Sequence, residues 1–294
     1  MGLESGPAFA VLTALCFGVA QVLVRRTTYQ TDEAFTPVAF SVLIGTPVFI
    51  VIVLVSGEWD FILSFTWRDY LMLGAAGFLQ FIAARYLFFN GTRIIGANPI
   101  AAITRSNIVF AVILGVSFLG ESVTAVQVIG ALLIMAGAVL SSMEINRDIF
   151  RISRRGLLMG LGAGLCSAGS AALIRPVMVT TDAVYAATCV SYLAAFIIIV
   201  AFLLARGQQR ANILRQGKYN NAMLLASALA LVIGHICRFS ALQLSPVSIV
   251  GPLMGTIVIF VLALSWIINR RIDAFNWRVI AGICMVLAGV FLIY

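Results

Sequence analysis

The 294-residue chain is 62% apolar and only 10% charged, with a mean hydropathy of +1.08. A soluble fold lacks the polar side chain to cover such a surface, because ordinary domains are about half apolar and about a quarter charged. The formal charge of +8 does not point to nucleic acid, since the basic residues sit in short loops between apolar runs rather than on one aromatic-interleaved face. The expected surroundings are a lipid bilayer, with no nucleic-acid partner.

A helix needs about 20 apolar residues to cross a hydrocarbon layer about 30 Å thick, and backbone without internal partners cannot cross at all. The N-terminus has no basic segment ahead of its first apolar run, so that run is read as a span rather than a signal peptide. Ten spans are expected, at about 7–25, 34–55, 69–89, 96–118, 122–142, 156–175, 183–204, 220–243, 247–268 and 275–293. Cys16, Cys166, Cys189, Cys237 and Cys284 all fall inside these runs, with no metal-ligand or redox spacing. No metal site, no cofactor and no catalytic residue is expected.

The sequence repeats itself after about 150 residues. Leu15, Cys16, Leu23 and Arg25 fall on Leu165, Cys166, Leu173 and Arg175, and Thr31-Asp32 falls on Thr181-Asp182. Ser41 meets Ser191 and, after a small gap, Arg85 meets Arg238 and Pro99 meets Pro252. Five spans per copy is an odd number, so the second copy enters the membrane from the opposite face. The expected fold is all-α: ten transmembrane helices as two inverted five-helix repeats, residues 1–143 and 156–294, joined by a basic linker over 144–155. Such folds place the substrate near the midplane, where helices are interrupted. The candidate interruptions are Gly96-Ala97-Asn98-Pro99 and Val250-Gly251-Pro252, since proline removes a backbone donor.

The runs "FAVILGVSFLGE" from Phe110 to Glu121 and "VIGALLIMAGAVL" from Val128 to Leu140, with their echo "VIAGICMVLAGVFL" after Phe260, resemble the EamA-type branch of the drug/metabolite transporter superfamily. So does Ala241-Leu242-Gln243-Leu244-Ser245-Pro246 ahead of span nine. The resemblance covers the whole chain. It implies ten helices around a central cavity lined by spans one, three, four, six, eight and nine, and it implies transport of a small molecule without fixing which.

Charged groups inside a span are costly and usually face a cavity, which makes them candidates for substrate contact. Arg105 lies deepest, mid-span in span four, and Asn98 precedes it by seven residues on the same helical face. Arg85 and Arg238, the repeat-related pair, stand about five residues from their helix ends, where they can line a cavity or snorkel to the interface. His235 precedes Arg238 by three residues and shares its face. It reads as a core histidine or a proton relay. Gln21 tips a small-residue face on span one formed by Ala14 and Gly18, with Gly164, Ala168 and Ala171 as its equivalent on span six; such faces serve close packing or cavity lining.

No Asp or Glu stands at comparable depth: Asp69 and Glu121 begin spans, and Asp32 and Asp182 sit in loops. An uncompensated set of guanidinium groups favours an anion, whose carboxylate or phosphate suits arginine's donor fork. The expected function is a carrier of a small, anionic organic solute, working by alternating access as a facilitator or exchanger. A lipid-headgroup flippase or a non-transporting membrane scaffold is the alternative. An enzyme would need a cluster of acid, base or ligand groups that one intramembrane histidine does not provide.

Loops after the odd-numbered spans carry most of the arginines, which places both termini outside the cytoplasm by charge bias, whereas the family resemblance places them inside. The short loops suggest a bacterial or archaeal inner membrane. Gly130, Ala136 and Gly137 on span five and Gly282, Ala288 and Gly289 on span ten leave two uses open, a homodimer contact or the packing of the two halves.

Overall fold

The apolar runs form helices, since only intrahelical bonding satisfies backbone groups away from water. A computed structural model describes residues 5–31, 35–95, 97–142, 153–206, 218–268 and 277–293. Its elements are α1 (Ser5–Thr31), α2 (Phe35–Ser56), α3 (Trp59–Ser64), α4 (Trp67–Gly77), a π-turn (Phe78–Ala83), α5 (Ala84–Ile95), α6 (Ala97–Thr104), α7 (Asn107–Leu119) and α8 (Ala125–Ser142). The second half follows with α9 (Arg154–Thr180), α10 (Val184–Ala205), α11 (Lys218–Leu244), α12 (Val247–Met254), α13 (Ile257–Ile268) and α14 (Trp277–Ile293). No strand occurs among the described residues.

Among the described residues, seven helices are long and apolar enough to cross a membrane: Ser5–Val24, Phe35–Ser56, Trp67–Phe88, Ile100–Leu119, Arg154–Thr180, Val184–Ala205 and Ala222–Leu244. Three shorter apolar helices, Ala125–Leu140, Val247–Val261 and Ile280–Ile293, stand where spans five, nine and ten were expected.

Local signals set the helix ends. Thr66 and Asp69 form a reciprocal capping box at α4, and the Ser153 hydroxyl accepts from Gly156 N at 3.1 Å to start α9. Gly120 ends α7 at φ +66°, a left-handed conformation that glycine adopts without penalty.

The interruptions are not where the prolines predicted. Residues 97–104 and 247–254 are helical, and Pro252 lies inside α12. The helices break later, at Arg105-Ser106 and at Gly255-Thr256, 150 residues apart. Each break tightens into i→i−3 bonds, Arg105 N to Ala102 O and Ser106 N to Ile103 O in one half, Gly255 N to Pro252 O and Thr256 N to Leu253 O in the other. Pro99 and Pro252 are therefore not equivalent: one is the third residue of its helix and the other the sixth.

The small-residue faces of spans five and ten pack the halves together. A Cβ on Gly137 would lie 2.5 Å from Gly282 O, and one on Gly289 would lie 2.6 Å from Gly130 O, so α8 and α14 approach backbone to backbone. The face of α9 seats the first half, with Gly160 against Ile100 and Ile103 and Gly164 against the α6–α7 break. Small residues are what allow such approach in an apolar medium.

At one end of the bundle, the Glu58 carboxylate accepts from Ala186 N at 2.8 Å. Burial raises its pKa, and hydrogen bonds from the Ala186 and Tyr185 amides oppose that rise. A raised acid pKa means the folded protein binds this proton more tightly than the unfolded chain. The group's contribution to stability is then complete below the ordinary value, about 4.3, and is lost as pH rises through the folded value. Glu58→Gln is expected to flatten that descent in melts run from about pH 4 to about pH 8.

Candidate functional site

Span three carries a π-turn at Phe78–Ala83, a rare local widening that often marks functional sites. Phe81, within it, faces His235 of α11 with ring centroids 4.8 Å apart. Phe17 of α1 packs on the same imidazole at 4.8 Å, and Tyr192 of α10 meets it edge-on at 5.5 Å. Phe81 and Tyr192 pack tilted at 4.4 Å between centroids, and Phe49 backs Tyr192 at 4.7 Å. Two glycines make this possible: Gly234 leaves room for the Phe17 ring and Gly45 for Tyr192.

His235 is wholly buried, Tyr192 is 1% exposed, and both imidazole nitrogens and the Tyr192 hydroxyl lack a hydrogen-bond partner. Buried polar groups normally find one, because leaving one unmet costs about 1–3 kcal/mol. An imidazole and a phenol without partners, side by side, are therefore exceptions to that rule.

Two guanidinium groups lie within electrostatic range of His235. Arg238 is 2% exposed; its Nη2 donates to Ser167 O at 3.3 Å and to Ser170 Oγ at 3.4 Å, both on α9. Arg85 donates to Ser41 Oγ at 2.7 Å and lies 5.7 Å from the Phe81 ring centroid. Ser167 also donates to Gln80 of the π-turn at 3.3 Å. The partners of both arginines are hydroxyl and carbonyl oxygens, which solvate a charge without neutralising it. The described acidic residues, Glu58, Asp60, Asp69, Glu121 and Asp182, stand at helix ends or in turns.

The structure thus brings together His235, Arg85 and Arg238 from the sequence reading. Arg105 sits at the α6–α7 break, half-buried, with a buried Nε that lacks a partner; the unpartnered Ser106 Oγ and Asn107 Oδ1 adjoin it. Ser106 packs on Gly164, one helical turn along α9 from Ser167, so α9 is a wall common to both groups. The Asn98 side chain lies outside the described residues. Gln21 is exposed on α1, turned away from the buried face of Ala14 and Gly18.

Sequence reasoning missed Phe17, Phe81, Tyr192, Gln80, Ser167 and Ser170. The Ser41–Ser191 match pointed near Tyr192, but a π-turn leaves no periodic mark, and phenylalanines are common in every span.

The model of the EamA-like transporter family matches residues 4–143 and again residues 154–294, so the site lies between two family units. Phe17, Ser41, Phe81 and Arg85 come from the first and Ser167, Ser170, Tyr192, His235 and Arg238 from the second. One crystal structure, at 15% identity, superposes with a TM-score of 0.76 over 99% of this chain and 97% of its own. At that identity it establishes the fold alone. No curated protein matches the sequence.

Proposed function

Because the chain belongs to the EamA-like transporter family, within the drug/metabolite transporter superfamily, we propose that it carries a small organic anion across its membrane by alternating access. The family is one of membrane transporters, and the transmembrane helices supply the multi-pass body that transport requires. One observation supports the substrate class: a buried guanidinium, Arg238, and a half-buried one, Arg85, near an imidazole and a phenol without hydrogen-bond partners, with the described carboxylates at helix ends or in turns.

In this reading Arg85 and Arg238 attract the carboxylate or phosphate, while His235 and Tyr192 supply hydrogen bonds that the protein leaves unused. Arg105 extends the positive wall along α9. The halves are inverted five-span repeats, ten crossings in all, with residues 144–155 as the linker and a bacterial or archaeal inner membrane as the setting. Inverted repeats place such a site between the repeats and let them rock about it. The carrier works as a facilitator or exchanger. A flippase would need a lateral opening lined by Arg85 or Arg238.

The test is thermal stabilisation of the purified protein across small carboxylates, phosphates, zwitterions and cations. An anion at 100 times its dissociation constant should add about 2.7 kcal/mol. That gain is expected to vanish in Arg238→Gln and Arg85→Gln. Stabilisation by cations alone, unchanged in both variants, would overturn the reading.

A further inference from the structure

Carboxylates from the first half hold helix N-termini of the second at one end of the bundle. Glu58, just beyond α2, reaches the start of α10. Glu121, just beyond α7, reaches the start of α12: its Oε1 accepts from Val247 N at 2.7 Å and its Oε2 from Ser248 N at 2.9 Å. The first amides of a helix have no partner within it and carry partial positive charge, so a bidentate carboxylate suits them.

Local geometry aims the Glu121 carboxylate there. After the left-handed Gly120, Glu121 N returns to Gly115 O at 3.0 Å, which folds the chain back over the end of α7. A Cβ on Gly115 would collide with the carboxylate, so the missing side chain lets it lie flat across the helix. The helices joined this way are the two that break mid-span. They run antiparallel, with Gly115 beside Ser248, Ala111 beside Gly251 and Ile108 beside Gly255.

Other polar links shut the same end. Arg175 donates to Leu242 O and Gln243 O at the end of α11, Gln243 donates to Asp182 Oδ1 at 2.9 Å, and Gly6 of α1 lies directly on Ser245. Of these, the Glu121 bonds alone join the two broken helices.

We propose that Glu121 is a positioning residue that couples the broken helices of the two halves and keeps this end of the bundle closed, letting go when the carrier opens there. The coupling rests on the carrier reading for its place in the transport cycle.

The test needs no substrate, so its failure leaves the anion reading standing, and failure of the anion panel leaves the coupling standing. Ser245, 3% exposed beneath α1, becomes the only cysteine in Ser245→Cys on a chain whose five native cysteines are replaced. A parallel chain keeps only native Cys189, 1% exposed within α10. Labelling with a charged maleimide in lipid nanodiscs is expected to quicken at least tenfold at position 245 in Glu121→Gln, to a lesser degree in Glu121→Asp, and not at Cys189. A glutamine cannot offer two acceptor oxygens to two amides. An unchanged rate at position 245, or equal quickening at both positions, would make Glu121 a plain helix cap and overturn the proposal. Should Glu121→Gln fail to fold, Glu121→Asp decides by the same criteria, and failure of both to fold overturns it too.

Discussion

Gly77→Ala is expected to destabilise the protein by about 3 kcal/mol, at the upper end of what overpacking costs. Gly77 closes α4 just before the π-turn, and α10 crosses it there. A Cβ on Gly77 would come within 3.0 Å of the Ser191 carbonyl carbon and closer still to its oxygen. The obstacle is backbone, which cannot rotate aside as a side chain would. Either α4 lifts from α10, or Ser191 moves and carries Tyr192 with it. Both disturb the aromatic box around His235, so ligand binding should fall together with the melting temperature. Gly74, one turn earlier, provides the control, since a Cβ there meets only Ala194 Cβ at 3.7 Å, an ordinary contact. Thermal melts of both alanine variants check this. Equal stability of the two would mean that α4 and α10 do not approach as described.

His235→Leu is expected to separate stability from function. The imidazole is enclosed by Phe17, Phe81 and Tyr192 with both nitrogens unpartnered, so a leucine of similar bulk removes two unmet polar atoms and keeps the packing. Relief of one unsatisfied group is worth about 1–3 kcal/mol, and the ligand-free variant should melt higher by about 1 kcal/mol. Binding should move the other way. Loss of a ligand hydrogen bond of about 1.5–3 kcal/mol weakens affinity ten- to a hundredfold. Such opposition is the mark of a group retained for function at the expense of stability. A fall in both melting temperature and affinity would show that His235 is a packing residue whose polar atoms are satisfied in the membrane.

Some of this was legible in the sequence for physical reasons. Hydrophobic runs of membrane length favour helices, and aligned Arg, Asp and Pro residues betrayed the duplication because such matches arise by chance less often than matches among Ala, Leu and Gly. Arg85, Arg238 and His235 stood out because charge in hydrocarbon is costly. The breaks at Arg105-Ser106 and Gly255-Thr256 were misplaced toward Pro99 and Pro252. Pro99, third in α6, occupies a position whose amide has no partner within the helix, whereas Pro252, sixth in α12, removes the bond to Ser248 O and stands three residues before the break. Tyr192, Phe81 and Phe17 were hidden because they converge from three different helices, a relation that no spacing along the chain encodes. The role of Glu121 was hidden likewise. It read as the first residue of span five, whereas its partners lie 126 and 127 residues away on α12.

Counterflow in proteoliposomes tests the central claim most directly. Vesicles loaded with an unlabelled small carboxylate or phosphate should concentrate the labelled anion transiently, and vesicles loaded with choline should not. Arg85→Gln and Arg238→Gln should each abolish the anion signal while the protein remains folded. Choline or another cation exchanged at equal rates by the wild-type protein and by Arg238→Gln would contradict an anion site built on these two arginines.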